Sequence, residues 1–220
     1  MSTEPTILED IDPDLVDRLT TSRRGLFAKA AVTLGALASA PLVLAAVSKD
    51  AFGQGLPDRI VDTLNFALTL EYLEAEFYQL GLDAGGLIPN RYEEVFEQIS
   101  KHEDAHVEFL QSALGGAAIA KPEFDFTAGG QYADVFSNFD TFALLSQTFE
   151  DLGVRAYKGQ ATNLMGNGEI LTAALRIHSV EARHAAEVRT VRGVLPWDGA
   201  FDEPLSKSRV LAAATPFLAG

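Results

Sequence analysis

Two copies of one short pattern, Glu-x-x-His, sit on the inward faces of predicted helices and constrain this chain more than any other feature. Reading every third or fourth residue from position 170 gives Ile170, Ala174, Ile177, Glu181, His184, Val188 and Val191. That is the buried stripe of an amphipathic helix, with Arg176, Arg183 and Arg189 falling off it. A carboxylate and an imidazole three residues apart share one helix face. Here both point where only apolar groups belong. An ionised carboxylate buried without compensation is strongly unfavourable, so a cation must meet it, and a divalent metal ion is the simplest one. The same interruption recurs over 91–114, where Val95, Ile99, His102 or Glu103, His106, Leu110 and Ala113 form the stripe.

Two further helices carry a single interrupting Glu each. Over 57–82, opened by Pro57 and Asp58, the stripe reads Ile60, Leu64, Ala67, Glu71, Glu74 or Ala75, and Tyr78. Over 140–165 it reads Phe142, Leu145 or Ser146, Phe149 or Glu150, Gly153, and Ala156 or Tyr157, with Glu150 at its edge. Glycine-rich punctuation separates the elements: Gly85-Gly86 with Pro89, Gly115-Gly116, and Gly166-Asn167-Gly168. Residues 115–138 lack helical periodicity and are too long for a simple helix–helix turn. They predict a crossover that carries the chain to the other end of a bundle. The expected fold is all-α: a four-helix bundle with one long crossover between helices 2 and 3. A C-terminal strap over 193–220 is expected to pack on it, with a short helix near 206–214.

The two halves repeat their chemistry. Glu71 and Glu103 stand 32 residues apart, Glu150 and Glu181 stand 31 apart, and each half ends in Glu-x-x-His. The spacing implies a pseudo-two-fold arrangement around one site built from Glu71, Glu103, His106, Glu150, Glu181 and His184. Glu74 and Glu76 are rivals of Glu71, and Asp151 is a rival of Glu150. His102 lies one turn before His106 and His178 lies off its stripe; both are expected at the surface, with a place behind the site as the second reading of His102. Carboxylates with one imidazole per ion suit iron or manganese.

Composition narrows the partners. There are no cysteines, which excludes disulfides, thiolate zinc and iron–sulfur ligation, and leaves the carboxylates and four histidines for any metal. Seventeen basic against 31 acidic residues give a net charge of −14, a surface that repels nucleic acid and anionic membranes. The N-terminal 21 residues are acidic and read as disordered. Ser22-Arg23-Arg24-Gly25-Leu26-Phe27-Ala28-Lys29, followed by a small and apolar run over 30–47, resembles a twin-arginine export signal, with Leu26 and Phe27 in reversed order. A membrane helix is the rival reading of that run, and its Ala, Gly, Ser and Thr content favours a cleaved signal over a retained anchor. With cleavage at Ala46-Val47-Ser48, the expected organisation is a leader over 1–48, a bundle over 49–192 and a tail over 193–220. Losing six acidic and four basic residues with the leader leaves a charge of −12.

The six-residue pattern resembles the ferritin-like di-iron carboxylate superfamily, in which two helices each give one Glu and two others each give Glu-x-x-His. The resemblance spans about 57–192. The run Leu70-Glu71-Tyr72-Leu73-Glu74-Ala75-Glu76-Phe77-Tyr78 also resembles the first helix of bacterioferritins, where the Glu is a terminal ligand and a Tyr seven residues on supports the site. Leader, bundle and tail together are similar to exported ferritin-like proteins grouped with desiccation-related proteins. The resemblance implies Glu71 and Glu150 as terminal ligands, Glu103 and Glu181 as bridges, and His106 and His184 on one ion each. It implies two iron ions, with manganese as the alternative, and Tyr78 as the catalytic candidate, in the form of a core tyrosine bonded to a ligand carboxylate. Fe2+ and O2 or peroxide would be the reactants of a ferroxidase- or peroxidase-type oxidoreductase that protects the envelope. Export would use the twin-arginine machinery to a periplasmic or other extracytoplasmic site, and a homo-oligomer is compatible with the family. The alternative is a non-enzymatic desiccation protein that keeps the bundle, and an iron-storage cage ranks last.

Overall fold

In a computed structural model of the chain, residues 55–197 and 199–219 are described, and five α-helices make up most of them. The leader read from 1–48 lies outside the described residues. Helix α1 (Asp58–Asp83) opens at Pro57, whose carbonyl accepts from Ile60 and Val61 amides. Helix α2 (Asn90–Leu114) opens behind Pro89. Helices α3 (Phe139–Leu164) and α4 (Gly168–Val191) each begin at an asparagine whose side chain accepts from the first turn: Asn138 from Asp140 N–H and Asn167 from Ile170 N–H. A short α5 (Lys207–Ala214) follows in the tail. Among the described residues there is no strand beyond one isolated antiparallel bridge, Phe124 to Leu218.

Two apolar clusters show how the helices run. One joins Ile60, Leu64 and Leu68 of α1 to Phe109, Leu110 and Ala113 of α2, Leu164 of α3, and Ile170 and Ile177 of α4. The other joins Leu73, Phe77 and Tyr78 to Phe96 and Ile99, Phe142 and Phe149, and Val188. The start of α1 therefore meets the ends of α2 and α3 and the start of α4. So α2 and α3 run in the same direction, and the chain must travel the length of the bundle, about 37 Å for 25 residues, to get from one to the other. Residues 115–138 make that crossover, burying Phe126 and Val135 as they pass. The expected all-α bundle with a long crossover between its second and third helices is the one observed.

The tail crosses the outside of α1 and α3. Val210 and Ala214 of α5 cluster with Phe66, Leu70, Leu152 and Ala156. Leu205 N–H donates to the Arg155 carbonyl at 3.1 Å. The strap lies so close that a Cβ at Gly159 would stand 1.8 Å from the Leu205 carbonyl oxygen, so only glycine fits there. Farther on, Asp125 N–H donates to the Phe217 carbonyl and Ala219 N–H to the Glu123 carbonyl, tying tail to crossover. Between the two apolar clusters, the middle of the bundle is lined by acids and imidazoles.

Candidate metal centre

Each helix delivers its polar residues into this middle layer because they occupy the same stripe as its core residues. Glu71 from α1, Glu103 from α2, Glu150 from α3 and Glu181 from α4 are all 0% exposed; His106 and His184 are 9% and 5% exposed. Their ligand atoms fall into two groups. One atom each from Glu71, Glu103, His106 and Glu181 lie within 4.8 Å of one another, and so do atoms from Glu103, Glu150, Glu181 and His184. The groups share Glu103 and Glu181. A carboxylate has two oxygens, so a shared Glu can serve both centres.

The contacts repeat this division. His106 Nδ1 stands 3.1 Å from Glu71 Oε2, 3.2 Å from Glu103 Oε2 and 3.1 Å from Glu181 Oε1. His184 Nδ1 stands 2.8 Å from Glu103 Oε1 and 3.4 Å from Glu150 Oε2. Yet His184 Nδ1, Glu103 Oε1, Glu150 Oε2 and both oxygens of Glu181 lack a hydrogen-bond partner among the described residues. These atoms approach one another without the angles of hydrogen bonds, as donors converging on a common point do. Buried polar atoms are rarely left this way unless an ion or water completes them. The donor set of carboxylates and one imidazole per group fits a pair of divalent ions, whose four positive charges cancel the four carboxylates of the shared set.

Electrostatically the layer has a deficit of positive charge. Burial, partly offset by His106, pushes the Glu71 carboxyl up to about 7. Burial and the neighbouring Glu103 and Glu71 raise Glu181 well above the ordinary carboxylate range. Burial also raises Glu150, against the pull of His184. Burial opposes ionisation of Glu103 as well, but the two imidazoles beside it, His106 and His184, outweigh that and hold it low. Burial lowers the affinity of His184 for a proton, yet Glu150 and Glu103 overcome it and lift the ring to about 11. Protons thus accumulate where a metal ion would otherwise sit.

A family model for the ferritin-like domain matches residues 59–194. The chain belongs to the ferritin-like domain family. No curated protein matches it. In this ferritin-like protein the buried Glu/His cluster can hold metal, and its surroundings show which side chains keep it in shape.

Two tyrosines hold the outer carboxylates. Tyr78 O–H donates to Glu150 Oε1 at 2.6 Å, leaving Oε2 turned towards His184. Tyr157 O–H donates to Glu71 Oε1, leaving Oε2 on His106. Burial and the adjacent carboxylates raise both phenols well above their usual range, so each remains a donor. Each tyrosine stands seven residues after the Glu of its own helix and bonds the Glu of the other. Tyr157 was missed in the sequence, where it reads as one of two core residues at its turn; the matched offset of seven was the available signal.

The rivals of the candidate residues are placed elsewhere. Glu76 turns outward to Lys121 Nζ at 2.6 Å, and Asp151 pairs with Arg189 at 2.8 Å. Glu74, by contrast, is 2% exposed and lies inside the layer, so the interior carries five carboxylates rather than the four expected. The surface expectation for His102 is also overturned. Its ring stacks on His184, with centroids 5.1 Å apart, and its Nδ1 lies 2.8 Å from His184 Nε2. Gln98 Nε2 reaches the other nitrogen of His102 at 2.8 Å. Periodicity leaves His102 or Glu103 as alternatives on the stripe of α2; Glu103 takes the buried position, and His102 beside it meets His184 of α4. His178 is half-buried rather than surface-exposed, and its Nε2 has no hydrogen-bond partner among the described residues.

Proposed function

We propose that this protein holds two carboxylate-bridged transition-metal ions and uses them in redox protection outside the cytoplasm, with iron as the resident metal and manganese as the alternative. The observation that carries the proposal is the pair of four-residue ligand groups sharing Glu103 and Glu181. In this reading Glu71 and Glu150 would each hold one ion, Glu103 and Glu181 would serve both, and His106 and His184 would each meet one ion, their Nδ1 atoms already facing the carboxylates. Two such ions, when bound, would supply a centre at which two electrons, one from each Fe2+ oxidised to Fe3+, pass together to O2 or peroxide. The chain's own residues set the conditions. Tyr78 and Tyr157 fix which oxygen of each terminal carboxylate is free. The His102–Gln98 pair fixes the ring plane of His184, as an outer partner of a metal-bound imidazole does. The apolar clusters above and below exclude bulk water, which strengthens every charge interaction between them.

The twin-arginine-like leader supports export in the folded state, and with it the resemblance to desiccation-related proteins and a place in envelope stress. No helix of the described residues is long and apolar enough to cross a membrane. A second reading, a stress protein that keeps the metal for stability alone, is favoured by the near-complete burial of all six side chains.

Metal analysis of the full-length protein, purified after growth with iron or manganese, tests the proposal. About two ions per chain are expected, falling towards zero in Glu103→Ala/Glu181→Ala. Anaerobic Fe2+ loading followed by O2 or peroxide then separates the two readings: oxidation of added Fe2+ over several turnovers supports the enzyme, and its absence in a fully loaded protein supports the structural role. No metal after loading with either ion rejects both.

A further inference from the structure

We infer that Glu74 is a seventh ligand of the centre, a fifth carboxylate that approaches the metal pair from the α1–α3 side, opposite the helices that carry the imidazoles. The inference rests on the two-metal reading above and adds a residue to it. Glu74 stands one turn beyond Glu71 on α1, is 2% exposed, and its Oε2 has no hydrogen-bond partner among the described residues. Every other carboxylate of the layer meets an imidazole: Glu71, Glu103 and Glu181 meet His106, and Glu103 and Glu150 meet His184. The charges acting on Glu74 are instead those of Glu181, Glu150, Glu103 and Glu71, all of like sign. A buried carboxyl in that position is satisfied by a cation between it and its neighbours, not by the protein itself.

Space has been made for it. Gly153 lies inside a 26-residue helix, where glycine weakens the element. A Cβ at that position would stand 3.0 Å from Glu181 Oε2 and 3.2 Å from Glu74 Oε1. Any side chain there would press on both carboxylates. The pseudo-two-fold repeat makes the point sharper. Helix α1 reads Glu71, Glu74, Tyr78 at offsets of three and seven; α3 reads Glu150, Gly153, Tyr157 at the same offsets. The two halves match at the ligand and at the tyrosine and differ at the residue between. One half supplies a carboxylate, and the other supplies the hole that accepts it. The site is therefore built asymmetric, and its two ions are not equivalent.

The test uses the full chain in four forms: wild type, Glu74→Gln, Gly153→Ala and Glu76→Gln, the last removing an outward carboxylate from the same helix. Competition titrations with Mn2+ and anaerobic Fe2+ measure affinity, and crystals of the Mn2+-loaded wild type give the coordination directly. The expected result is a Glu74 oxygen bonded to an ion, binding of at least one ion weakened by about tenfold or more in Glu74→Gln, and no change in Glu76→Gln. Gly153→Ala, which leaves the carboxylate but crowds it, is expected to weaken binding in the same direction. If the wild type binds two ions while Glu74 stays unbonded and Glu74→Gln binds as tightly, the seventh ligand is wrong and the six-residue site stands. If the wild type binds none, the site itself fails and Glu74 with it. The crystal reads coordination in the unaltered chain, so a variant that does not fold leaves the test intact.

Discussion

Tyr78 and Tyr157 are phenols placed to hold one oxygen of a carboxylate while the other remains free. Each bond crosses between α1 and α3, so each fixes the partner helix's Glu rather than its own. Replacing either by Phe removes the donor with almost no change in volume. Tyr78→Phe and Tyr157→Phe are each expected to weaken metal binding by about 10–100-fold, the usual size of an outer-partner effect, in a competition titration. Equal losses from the two would show the reciprocity to be functional as well as geometric. His102 should behave similarly through His184. His102→Ala is expected to weaken one ion of the pair and leave the other, whereas His178→Ala leaves both unchanged. The readout is an isotherm in which one binding step weakens in His102→Ala while neither step moves in His178→Ala.

At the scale of elements, the tail is the part whose stability is most easily isolated. Leu205 approaches α3 so closely at Gly159 that no side chain fits between them. Gly159→Ala improves the intrinsic helix preference of α3 but forces the strap away. The expected balance is destabilisation of about 1–3 kcal/mol, seen as a lower denaturation midpoint and faster proteolysis near residues 200–210. A midpoint equal to wild type would mean that the strap is not held at this point. The helices themselves were legible in the sequence because each carries a long 3.6-residue stripe and ends in Gly or Pro. The polar residues of the layer were legible for the same reason, since Glu71, Glu103, His106, Glu181 and His184 break stripes that are otherwise apolar. Contacts between elements were not. His102 touches His184 and Tyr157 touches Glu71 across neighbouring helices, and no period within a single helix encodes what its flank will face. Glu74 lay on the same face as Glu71, so periodicity could admit both and choose neither.

For the molecule as a whole, the excess of buried carboxylates is expected to make stability depend on pH and, once metal is bound, on metal as well. Glu71, raised from 4.5 to about 7, and His184, raised from 6.5 to about 11, both bind protons more tightly folded than unfolded. Groups shifted up in this way stabilise the fold fully at low pH and lose that contribution as pH rises through the folded value. Glu103 is shifted the other way and contributes above the ordinary carboxylate range, losing it only on acidification. The metal-stripped protein should therefore be most stable near pH 5 and weaken from there to pH 9. The Glu71 shift, shared with the adjoining His106 and Glu103, corresponds to about 3 kcal/mol, or about 6–12 °C in a chain of this size. Calorimetry in chelator and in excess Mn2+ checks the prediction. The two curves should diverge with rising pH, because ions replace protons in the same layer. Parallel curves would mean that the metal does not occupy the carboxylate layer.

The crossover has a consequence in time. A ribosome that has released the chain only as far as residue 138 has delivered Glu71, Glu103 and His106, but neither Glu150 and Glu181 nor the tyrosine that holds Glu71. The first hairpin alone can offer an ion fragments of one pocket, without the second bridge. Metal capture would have to wait for α4, and an ion would then stabilise only a bundle that has already closed around it. A loaded centre would thus certify that synthesis and assembly are finished.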